Sequence, residues 1–505
     1  MLTGDILRHS AARHPRKIAL ICGAERLSYG ALDRAANRIA NMVRGLGLRK
    51  GARVALLCRN RPDYVALHFG LARAGVITVH ISPAYGAGET AHILAKTRPA
   101  LAFTETELAD KVAGVPRVIL VDGKGRDGLA RLTARASDGA PQVALSGDDP
   151  FAMTFTGGTM GFPKGAVVSY AARRAAATTT ALEHGLTSRD VVALPLPLYH
   201  AAGLLIWGQA AMLVGATSVL MARWDPDEFI ALAHREGISN AILVPVQMND
   251  LLARPAFNPD GVPSLHTLAS GGSPKHAGLF EAVVERLPHA TYIDHYGQSE
   301  VGPATILKSW HPREKARSIG LPAIGLELKV VDTDGAPVKP GVIGEILIKG
   351  PCLMAGYYKD PAETARYFRT RDGWGWSGDL AIVDEDGFIT LAGRAKDMII
   401  TGGINVYPRE VEIVLEAHPA VAECVAFGVP DERWGEAMVA YVVRANGAAI
   451  AAEALIEHCG ASLARYKRPK IVRFVDAIPK TATGKVLKQK LREDFLSNAH
   501  PVRPE

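Results

Sequence analysis

Cysteine is scarce in this sequence, and the five cysteines that it has are scattered. They are Cys22, Cys58, Cys352, Cys424 and Cys459, and no two stand at the C-x-x-C spacing of a redox or zinc site. The sequence therefore indicates neither a disulfide framework nor a metal centre held by thiolates. Separate thiols are typical of a reducing compartment, so we expect a cytoplasmic protein.

The sequence also lacks a long uninterrupted hydrophobic run. Its most apolar stretch, residues 191–222, contains Pro195, Pro197, His200 and several glycines, which predicts a strand, a loop and a buried helix rather than a membrane span. The first 20 residues carry charges throughout and have no signal-peptide core, and the C-terminal PVRPE has no peroxisomal or prenylation signal. We therefore expect no targeting segment and no membrane span.

Charge of one sign is not concentrated anywhere in the chain. The net charge is +7, and acidic and basic residues alternate along the whole sequence. No basic tract is interleaved with aromatic residues, so nucleic-acid binding is not indicated. A mild positive excess favours small polyanionic ligands, although a solvated surface explains it as well. The 505 residues are enough for roughly three compact units.

What the sequence does contain is a repeated alternation of strand and helix patterns. The runs RVALLC (53–58), VITVHI (76–81), NAILVP (240–245), LHTLAS (265–270) and ATYIDHYG (290–297) predict strands, and amphipathic segments such as residues 62–75, 225–237 and 277–288 predict helices. This alternation predicts an α/β fold with mainly parallel sheets covered by helices on both faces.

The pattern changes in the last third of the chain. From about residue 317, short β runs separated by Asp-Gly and Gly-Pro turns predict a small antiparallel barrel or sheet, which we expect to be barrel-like. The final hundred residues predict a compact α+β unit. We place the domain boundary in the segment 391–403, with a large N-terminal domain at 1–395 and a small mobile C-terminal domain at 396–505.

A glycine-rich stretch, TFTGGTMGFPKG (154–165), has the composition of a phosphate-binding loop. Glycine lets the backbone approach a phosphate so that consecutive N–H groups point inward, threonine hydroxyls add donors, and Lys164 adds positive charge. The spacing is not that of a Walker A loop, since Lys164 is followed by Gly165 rather than by serine or threonine. Alone, the stretch is also compatible with a flexible surface turn.

The other motifs decide between these interpretations, because together they resemble the acyl-adenylate-forming (AMP-binding) enzymes, in the acyl-CoA synthetase branch. The glycine-rich stretch is similar to the phosphate loop of that superfamily, with Gly157 and Met160 where serine and threonine are usual. The further matches follow in the family's order: PLYHAAG (197–203), ASGGSP (269–274), YGQSE (296–300), GWGWSGD (373–379), GRAKDMIITGGINVYPREVE (393–412) and PKTATGKVLKQKLR (479–492). They span almost the whole chain.

The resemblance implies a two-step reaction. A carboxylate attacks the α-phosphate of ATP to give an acyl-adenylate and pyrophosphate, and a thiol, normally that of coenzyme A, then displaces AMP. We therefore expect an acid–thiol ligase that uses ATP, Mg²⁺ and CoA, and a homodimer is possible. Lys485 is implied as the principal catalytic group, and Glu300 and Thr159 as the magnesium ligands. Two alternatives stay open: a ligase that loads a carrier-protein thiol, and a catalytically silent relative that only binds nucleotide or acyl groups.

By the same resemblance, the nucleotide-binding positions are Asp379 and Arg394 at the ribose, Tyr296 at the adenine, and a set of loop residues. That set comprises Thr156, Gly157, Gly158, Thr159, Met160, Gly161, Lys164, Gly271, Gly272, Ser273, His295, Gly297, Gln298, Ser299 and Lys485. Lys396 stands at the hinge, where the C-terminal domain is expected to rotate between the two half-reactions. The CoA side is implied to contain Gly402, Gly403, Tyr407 and Lys467.

The acyl pocket is implied to be of moderate size and largely apolar. Its expected wall residues are His200, Ala201, Gly203, Met248, Gly271, His295, Gly297 and Val301. His200 stands where amino-acid-activating relatives carry aspartate, which favours a simple acid over an amino acid, and the lack of arginine in IDHYG disfavours a dicarboxylic acid. His295 could hydrogen-bond an oxygen on the acyl group. Aromatic acids of the cinnamate type and medium-chain fatty acids remain equally open.

Overall fold

The computed structural model describes residues 1–156, 163–273, 275, 278–370, 372–402, 404–445, 447–481, 484 and 486–497, with the side chain of Thr156 excepted. The helices are α1 (Asp5–Arg13), α2 (Tyr29–Gly45), α3 (Pro62–Ala74), α4 (Ala87–Thr97), α5 (Leu129–Ala134), α6 (Tyr170–Glu183), α7 (Gln209–Val214), α8 (Pro226–Glu236), α9 (Pro245–Leu252), α10 (Leu279–Arg286), α11 (Pro361–Tyr367), α12 (Pro408–Glu416), α13 (Ala452–Ser462) and α14 (Lys488–Ser497).

The strands are β1 (Ile18–Cys22), β2 (Glu25–Ser28), β3 (Arg53–Leu57), β4 (Ile77–His80), β5 (Leu101–Thr104), β6 (Val118–Leu120), β7 (Pro150–Thr156), β8 (Lys164–Ser169), β9 (Val191–Leu194), β10 (Thr217–Leu220), β11 (Asn240–Leu243), β12 (Thr267–Gly271), β13 (Thr291–Gln298), β14 (Gly302–Lys308), β15 (Leu321–Pro322), β16 (Glu327–Val331), β17 (Ile343–Lys349), β18 (Gly356–Tyr357), β19 (Gly375–Val383), β20 (Ile389–Arg394), β21 (Ile399–Thr401), β22 (Ile404–Val406), β23 (Val421–Asp431), β24 (Gly435–Arg444) and β25 (Ile471–Phe474).

The strands form four sheets. The largest has nine strands in the order β15-β14-β13-β12-β11-β9-β10-β1-β2, and a second has seven in the order β18-β8-β7-β4-β3-β5-β6. Both are parallel in their centres. The nine-stranded sheet is antiparallel at both edges, and the seven-stranded sheet only at the β18-β8-β7 edge. This architecture confirms the predicted α/β fold, in which crossover helices return the chain to the same sheet edge.

Helix boundaries follow local chemistry. Helix α8 begins where the Asp225 side chain accepts a hydrogen bond from the Glu228 amide at 2.9 Å, with Pro226 in the first turn, and ends at Gly237, whose φ is +68°. Helix α3 has the same pattern, with Pro62 in the first turn and Gly75 after its last residue. Proline at the start and glycine after the end are the signals from which these helices were predicted.

The nine-stranded sheet is buried on both faces. Alternate residues of β9 to β13 divide between two core clusters, as Val192 and Ala193 or Ala269 and Leu268 do. One cluster also contains residues of α2, α3 and α6 and of the seven-stranded sheet, and the other contains residues of α8, α9 and α10. The alternation follows from the two-residue period of a strand.

The last third of the chain forms the two smaller sheets. The strands predicted as a small barrel or sheet form an open four-stranded antiparallel sheet, β16-β17-β19-β20, and no closed barrel is found among the described residues. Strands β21 to β25 form the fourth sheet and pack with α12, α13 and α14. The 3₁₀ turn Ala395–Asp397 joins these two sheets, at the predicted domain boundary. Within the described part of the chain, no helix is both long and apolar enough to cross a membrane.

Candidate active site

The candidate site residues collect at the carboxyl ends of central strands. Strand β12 ends at Gly271, and its parallel neighbour β13 ends at Gln298, with Gly271 opposite His295 in the register. Chain segments that follow adjacent parallel strands emerge at the same sheet edge, where open α/β sheets bind ligands. The ASGGSP and YGQSE motifs are therefore neighbours in space although they are separated by more than 20 residues in the sequence.

Asp379 is the centre of a hydrogen-bonded group that also contains Tyr296, Gln298 and Arg394. The Tyr296 hydroxyl donates to Asp379 Oδ2 at 2.7 Å, and Gln298 Nε2 donates to the same oxygen at 2.6 Å. Arg394 Nε pairs with Asp379 Oδ1 at 2.9 Å, because β19 and β20 place the two residues opposite each other. The sequence predicted all four residues, and the fold brings them together.

The electrostatics of this group keep the Arg394 guanidinium charged and the Tyr296 hydroxyl protonated. The nearby Asp379 carboxylate raises the pKa of Arg394 above its ordinary value. Burial raises the pKa of Tyr296, so its hydroxyl stays protonated and donates. An ionised carboxylate has about four lone-pair positions, so Asp379 Oδ1 can accept a further donor such as a ribose hydroxyl.

Glu300 lies in the turn between β13 and β14, and its carboxylate is nearly buried. The Tyr357 hydroxyl donates to Glu300 Oε1 at 2.7 Å, and the Glu300 carbonyl accepts from the Met354 amide at 2.6 Å. Below the turn, the buried Arg173 donates from Nη2 to the Ser299 carbonyl at 3.1 Å. Tyr357 therefore holds the carboxylate itself, and Met354 and Arg173 hold the backbone of its turn. The carboxylate oxygens are ligands of the kind that fits Mg²⁺.

The glycine-rich stretch is described only in part. Gly157, Gly158, Thr159, Met160 and Gly161 lie outside the described residues. Lys164 begins strand β8, forms an ion pair with Glu363 of α11, and places its ammonium 5.8 Å from the centre of the Tyr357 ring. The lysine is thus beside the Glu300 partner Tyr357, within the region predicted to hold phosphates.

Three predicted glycines have distinct structural reasons. A Cβ at Gly271 would lie 2.8 Å from the His295 carbonyl oxygen, and one at Gly297 would lie 2.1 Å from the Gly302 carbonyl oxygen, so both positions require glycine for strand packing. Gly272 differs, since it is exposed, has a φ of +85° and would meet only Val244 at 3.7 Å. Of the three, Gly272 offers open backbone to a ligand.

The pocket segment PLYHAAG leads into a π-helix, Ala201–Gly208. The His200 side chain accepts from the Ala202 amide at 3.3 Å and so caps this helix. A Cβ at Gly203 would lie 2.2 Å from the Pro197 carbonyl oxygen, which explains the glycine. Ala201 is buried, and Val301 is buried in the main core cluster.

Met248 is placed differently from the other expected wall residues. Its side chain has no exposed area, and it packs in the core cluster of α8, α9 and α10. In this arrangement Met248 packs under the face of the nine-stranded sheet that α8, α9 and α10 cover.

His295 does not stand alone in the wall. Its Nε2 lies 2.7 Å from Nε2 of His184, the residue that follows α6. The His184 ring in turn packs on Trp207 of the π-helix, with 4.6 Å between ring centres. The sequence predicted His295 but not His184.

On the C-terminal side, Lys396 lies in the turn between the last two sheets, and the other predicted residues lie beyond it in the chain. Burial lowers the pKa of Lys396 in that turn. Lys467 forms an ion pair with Glu410 of α12, and Tyr407 immediately precedes that helix. Gly402 has a φ of +58° and packs against Trp434. Gly403 lies outside the described residues.

Lys485 also lies outside the described residues, but its neighbour Gly484 is described. A Cβ at Gly484 would lie 3.5 Å from Ser273 Oγ and 3.6 Å from a methyl group of Val246. Gly484 therefore lies close to the loop that follows β12.

The residues that sequence reasoning missed are Tyr357, Glu363, His184 and Arg173. None of them lies in a motif with recognisable spacing, and each meets its partner from more than 50 positions away. The only available signal was the tyrosine pair in MAGYYKDP, which has no distinctive pattern.

Comparison with known proteins agrees with this geometry. Residues 7–358 match the family described as AMP-binding enzyme, and residues 410–485 match the AMP-binding enzyme C-terminal domain. The chain belongs to the AMP-binding enzyme family.

This AMP-binding enzyme is similar to curated relatives over nearly its whole length. It is 35% identical to a feruloyl-CoA synthase from an Amycolatopsis species, covering 96% of this chain and 97% of that one. It is 33% identical to the long-chain-fatty-acid–CoA ligase FadD13 of Mycobacterium tuberculosis, covering 97% and 98%. The crystal structure of ATP-bound MatB from Rhodopseudomonas palustris superposes with a TM-score of 0.91 at 29% identity, covering 98% and 99%.

These matches confirm the predicted superfamily and the predicted enzyme class. The AMP-binding enzyme is an acid–thiol ligase of the AMP-forming kind, with ATP, Mg²⁺ and CoA as its cofactor and co-substrates.

Proposed function

We propose that this enzyme is an acyl-CoA synthetase that converts an aromatic or fatty monocarboxylic acid to its CoA thioester through an acyl-adenylate. The observation that carries the proposal is the meeting of the Asp379 group with the Glu300 turn at the ends of β12 and β13. The Asp379 group presents hydrogen-bond acceptors suited to a ribose. The Glu300 turn presents a carboxylate suited to a phosphate-bound cation. Relatives named for feruloyl and long-chain fatty acids support both acid classes.

In the first half-reaction, a carboxylate oxygen of the acid attacks the α-phosphorus, and the bond to the β-phosphate breaks to release pyrophosphate. We propose that Asp379 and Arg394 hold the ribose, with Tyr296 at the adenine. Lys164 neutralises phosphate charge, aided by the backbone of the glycine-rich stretch. Holding the reacting groups in line and neutralising their charge both lower the barrier of such a transfer.

We propose Glu300 and Thr159 as the residues that hold Mg²⁺. When bound, the ion neutralises charge that develops on the phosphate oxygens. Tyr357 orients the Glu300 carboxylate through its hydrogen bond. Mg²⁺ usually binds through one or two carboxylates together with phosphates and water, so a single protein carboxylate is sufficient.

We propose two domains, residues 1–395 and 396–505, with rotation about Lys396 between the half-reactions. The contact of Gly484 with Ser273 supports an arrangement in which Lys485 reaches the acid and the α-phosphate. After rotation, the segment from Gly402 and Gly403 to Tyr407 would line the path of CoA, with Lys467 near its phosphates. The CoA sulfur then attacks the acyl carbon and AMP departs.

The acid is proposed to lie beside His200, Ala201, Gly203 and His295. His200 caps the π-helix and provides no carboxylate to bind an ammonium group, which fits a simple acid rather than an amino acid. The expected homodimer and the cytoplasmic location stay predictions.

The test is a panel of aromatic and straight-chain acids with ATP and Mg²⁺. Pyrophosphate exchange reports the first half-reaction, and mass spectrometry of thioesters with CoA or with a phosphopantetheinylated carrier protein reports the second. We expect exchange with at least one acid and CoA thioester as the product. Exchange without CoA thioester would favour the carrier-loading alternative, and no exchange with any acid would favour a silent binding protein.

A variant links this activity to the Asp379 group. Asp379→Asn removes the charge opposite Arg394, and we expect kcat/KM for ATP to fall about 100-fold, as for the loss of one partner of a buried ion pair. Asp334→Asn, in an exposed turn, is the matched control and should keep full activity. Equal activity in the two variants would contradict the proposed ribose contact.

A further inference from the structure

Three aromatic rings from three elements meet at the wall of the proposed acyl pocket. Trp207 of the π-helix donates from Nε1 to the Ala193 carbonyl at 2.8 Å, so its ring is fixed. His184 packs on Trp207 and approaches His295 of β13, with 4.8 Å between the two imidazole centres. His184 is buried, whereas the residue His295 is only partly buried, at the end of the group.

Both imidazoles are neutral near pH 7. Burial lowers the pKa of His295 to about 4 and lowers the pKa of His184 well below its ordinary value. The other charged groups facing the pair are Lys308, whose positive charge disfavours a second cation, and Glu183, which binds the Lys308 ammonium at 2.8 Å. The hydrogen bond between the rings is therefore one between two neutral imidazoles.

A neutral imidazole carries one N–H, so the 2.7 Å contact between the two Nε2 atoms requires one donor and one acceptor. His184 Nδ1 is buried and has no hydrogen-bond partner among the described residues. If His184 accepted, it would carry its proton on that buried Nδ1 and leave an N–H unpaired. Unpaired buried N–H groups are rarer than unpaired acceptors, so the favoured arrangement has His184 donating.

A donating His184 fixes the position of the proton on the His295 ring. When His295 Nε2 accepts from His184, the His295 proton must be on Nδ1. Among the described residues, nothing is hydrogen-bonded to that atom. The ring thus presents an N–H donor in a fixed direction.

We propose that His295 donates this Nδ1–H to an oxygen acceptor on the acyl group, so that the enzyme selects acids bearing an ether, carbonyl or hydroxyl oxygen beyond the carboxylate. His184 is the positioning residue that sets the tautomer. The inference rests on the proposed acyl-CoA synthetase function and narrows its substrate class. An acid without an acceptor at that position covers the N–H with carbon and leaves it unpaired, which lowers its rate.

The test uses pairs of acids that differ only in the acceptor. Suitable pairs are 4-methoxycinnamate with 4-ethylcinnamate, 3-methoxycinnamate with 3-ethylcinnamate, and straight-chain acids with and without one ether oxygen. For each pair, kcat/KM for CoA thioester formation is measured in the wild type. We expect one pair to favour the oxygen-bearing acid about tenfold or more, the effect of one unpaired polar group.

Two variants assign the preference. In His295→Leu, the ratio of kcat/KM between the oxygen-bearing and the all-carbon acid should fall to one or below, and an unchanged urea-unfolding midpoint reports correct folding. In His184→Phe, a ring still packs on Trp207 but cannot donate, so the preference should shrink several-fold. His289→Gln, an exposed histidine, is the control and should keep the full preference.

The tautomer has its own readout. In ¹⁵N-histidine NMR, His295 should show a protonated Nδ1 in the wild type and a mixture of tautomers in His184→Phe. Equal rates within every acid pair, or a preference that survives His295→Leu, would overturn the inference while thioester formation itself still stood. Absence of thioester from every acid would instead overturn the proposed function on which it rests.

Discussion

At the scale of single residues, the hydroxyl of Tyr357 is the contact that fixes the Glu300 carboxylate from outside its own turn. The two residues are 57 positions apart, and the bond depends on β18 pairing with β8. Lys164 also begins β8, so the phosphate-loop lysine and the partner of the proposed metal ligand share one pair of strands. A small change in the pairing of β8 with β18 would therefore displace both the Lys164 ammonium and the Glu300 carboxylate.

Removal of that hydroxyl should weaken the use of magnesium-bound ATP. In Tyr357→Phe we expect kcat/KM for ATP to fall about tenfold and the Mg²⁺ concentration for half-maximal rate to rise, because a hydrogen bond to a charged group contributes roughly 1.5–3 kcal/mol. Pyrophosphate exchange at several Mg²⁺ concentrations measures both. Tyr358→Phe, at the adjacent position, is the control, and an equal effect there would refute the role of the hydroxyl.

Buried neutral histidines should make stability depend on pH. Burial lowers the pKa of His80 to about 3 and that of His295 to about 4, below the ordinary value of 6.5. The unfolded chain then binds more protons than the folded one as pH falls from 6.5 towards 4, so the free energy of unfolding decreases in that window. Each such histidine contributes up to about 1.4 kcal/mol per pH unit.

Urea unfolding at pH 7, 6 and 5 measures this dependence. His80→Asn keeps an acceptor for the Tyr64 hydroxyl, which lies 2.6 Å from His80 Nδ1, but cannot titrate. The loss of stability below pH 6.5 should therefore be smaller in this variant. His9→Gln, at an exposed position, should follow the wild type, and identical curves for all three proteins would exclude the histidine origin.

The sequence predicted a site residue when both that residue and its contact partner stood in recognisable motifs. Asp379 and Arg394 were predicted because both stand in motifs with known spacing, and adjacent strands then place them opposite each other. Tyr357 and His184 could not be predicted, because their roles arise from tertiary contacts to Glu300 and His295 across distant segments. Local pattern carries no information about such contacts.

At the scale of elements, the π-helix Ala201–Gly208 shapes the proposed pocket. Its residues are apolar on all sides, so the sequence pattern predicts a buried helix but does not show that the helix has π rather than α geometry. The β-strands and ordinary helices were predicted well because proline, glycine and capping residues mark their ends. The wide turn depends instead on the close approach of Gly203 to Pro197, which only the folded chain displays.

Two glycines in this helix offer a matched comparison. A Cβ at Gly203 would lie 2.2 Å from a backbone oxygen, whereas the nearest atom to one at Gly208 would be the end of the flexible Leu204 side chain at 2.8 Å. Gly203→Ala should lower the free energy of unfolding by about 1–3 kcal/mol and raise KM for the acid, since backbone must shift. Gly208→Ala should cost less, as measured by urea unfolding and thioester assays. A larger cost at Gly208 would contradict the packing argument.

At the scale of the whole molecule, the proposed mechanism requires the C-terminal part to supply Lys485 in only one half-reaction. Lys485→Ala should abolish pyrophosphate exchange but largely spare thioester formation from supplied acyl-adenylate. Lys490→Ala, an exposed position on α14, is the control. Equal losses in both half-reactions of Lys485→Ala would contradict the two-conformation mechanism.

The arrangement of the parts was only partly predictable from the sequence. The change to short β runs from about residue 317 indicated separate units, and the predicted domain boundary in the segment 391–403 contains the turn Ala395–Asp397. The contact of Gly484 with Ser273 joins residues about 210 positions apart. No local pattern specifies how such units meet, because that depends on complementary surfaces.

The fourth sheet takes all of its strands, β21 to β25, from the chain that follows residue 396. A genetic crossover placed at the Ala395–Asp397 turn would therefore exchange this entire sheet with that of a relative and interrupt no strand pairing. Chimeras built at that position would inherit the acid-binding wall from one parent and the residues proposed for the CoA side from the other. The fold thus permits acid preference and thiol preference to be inherited separately.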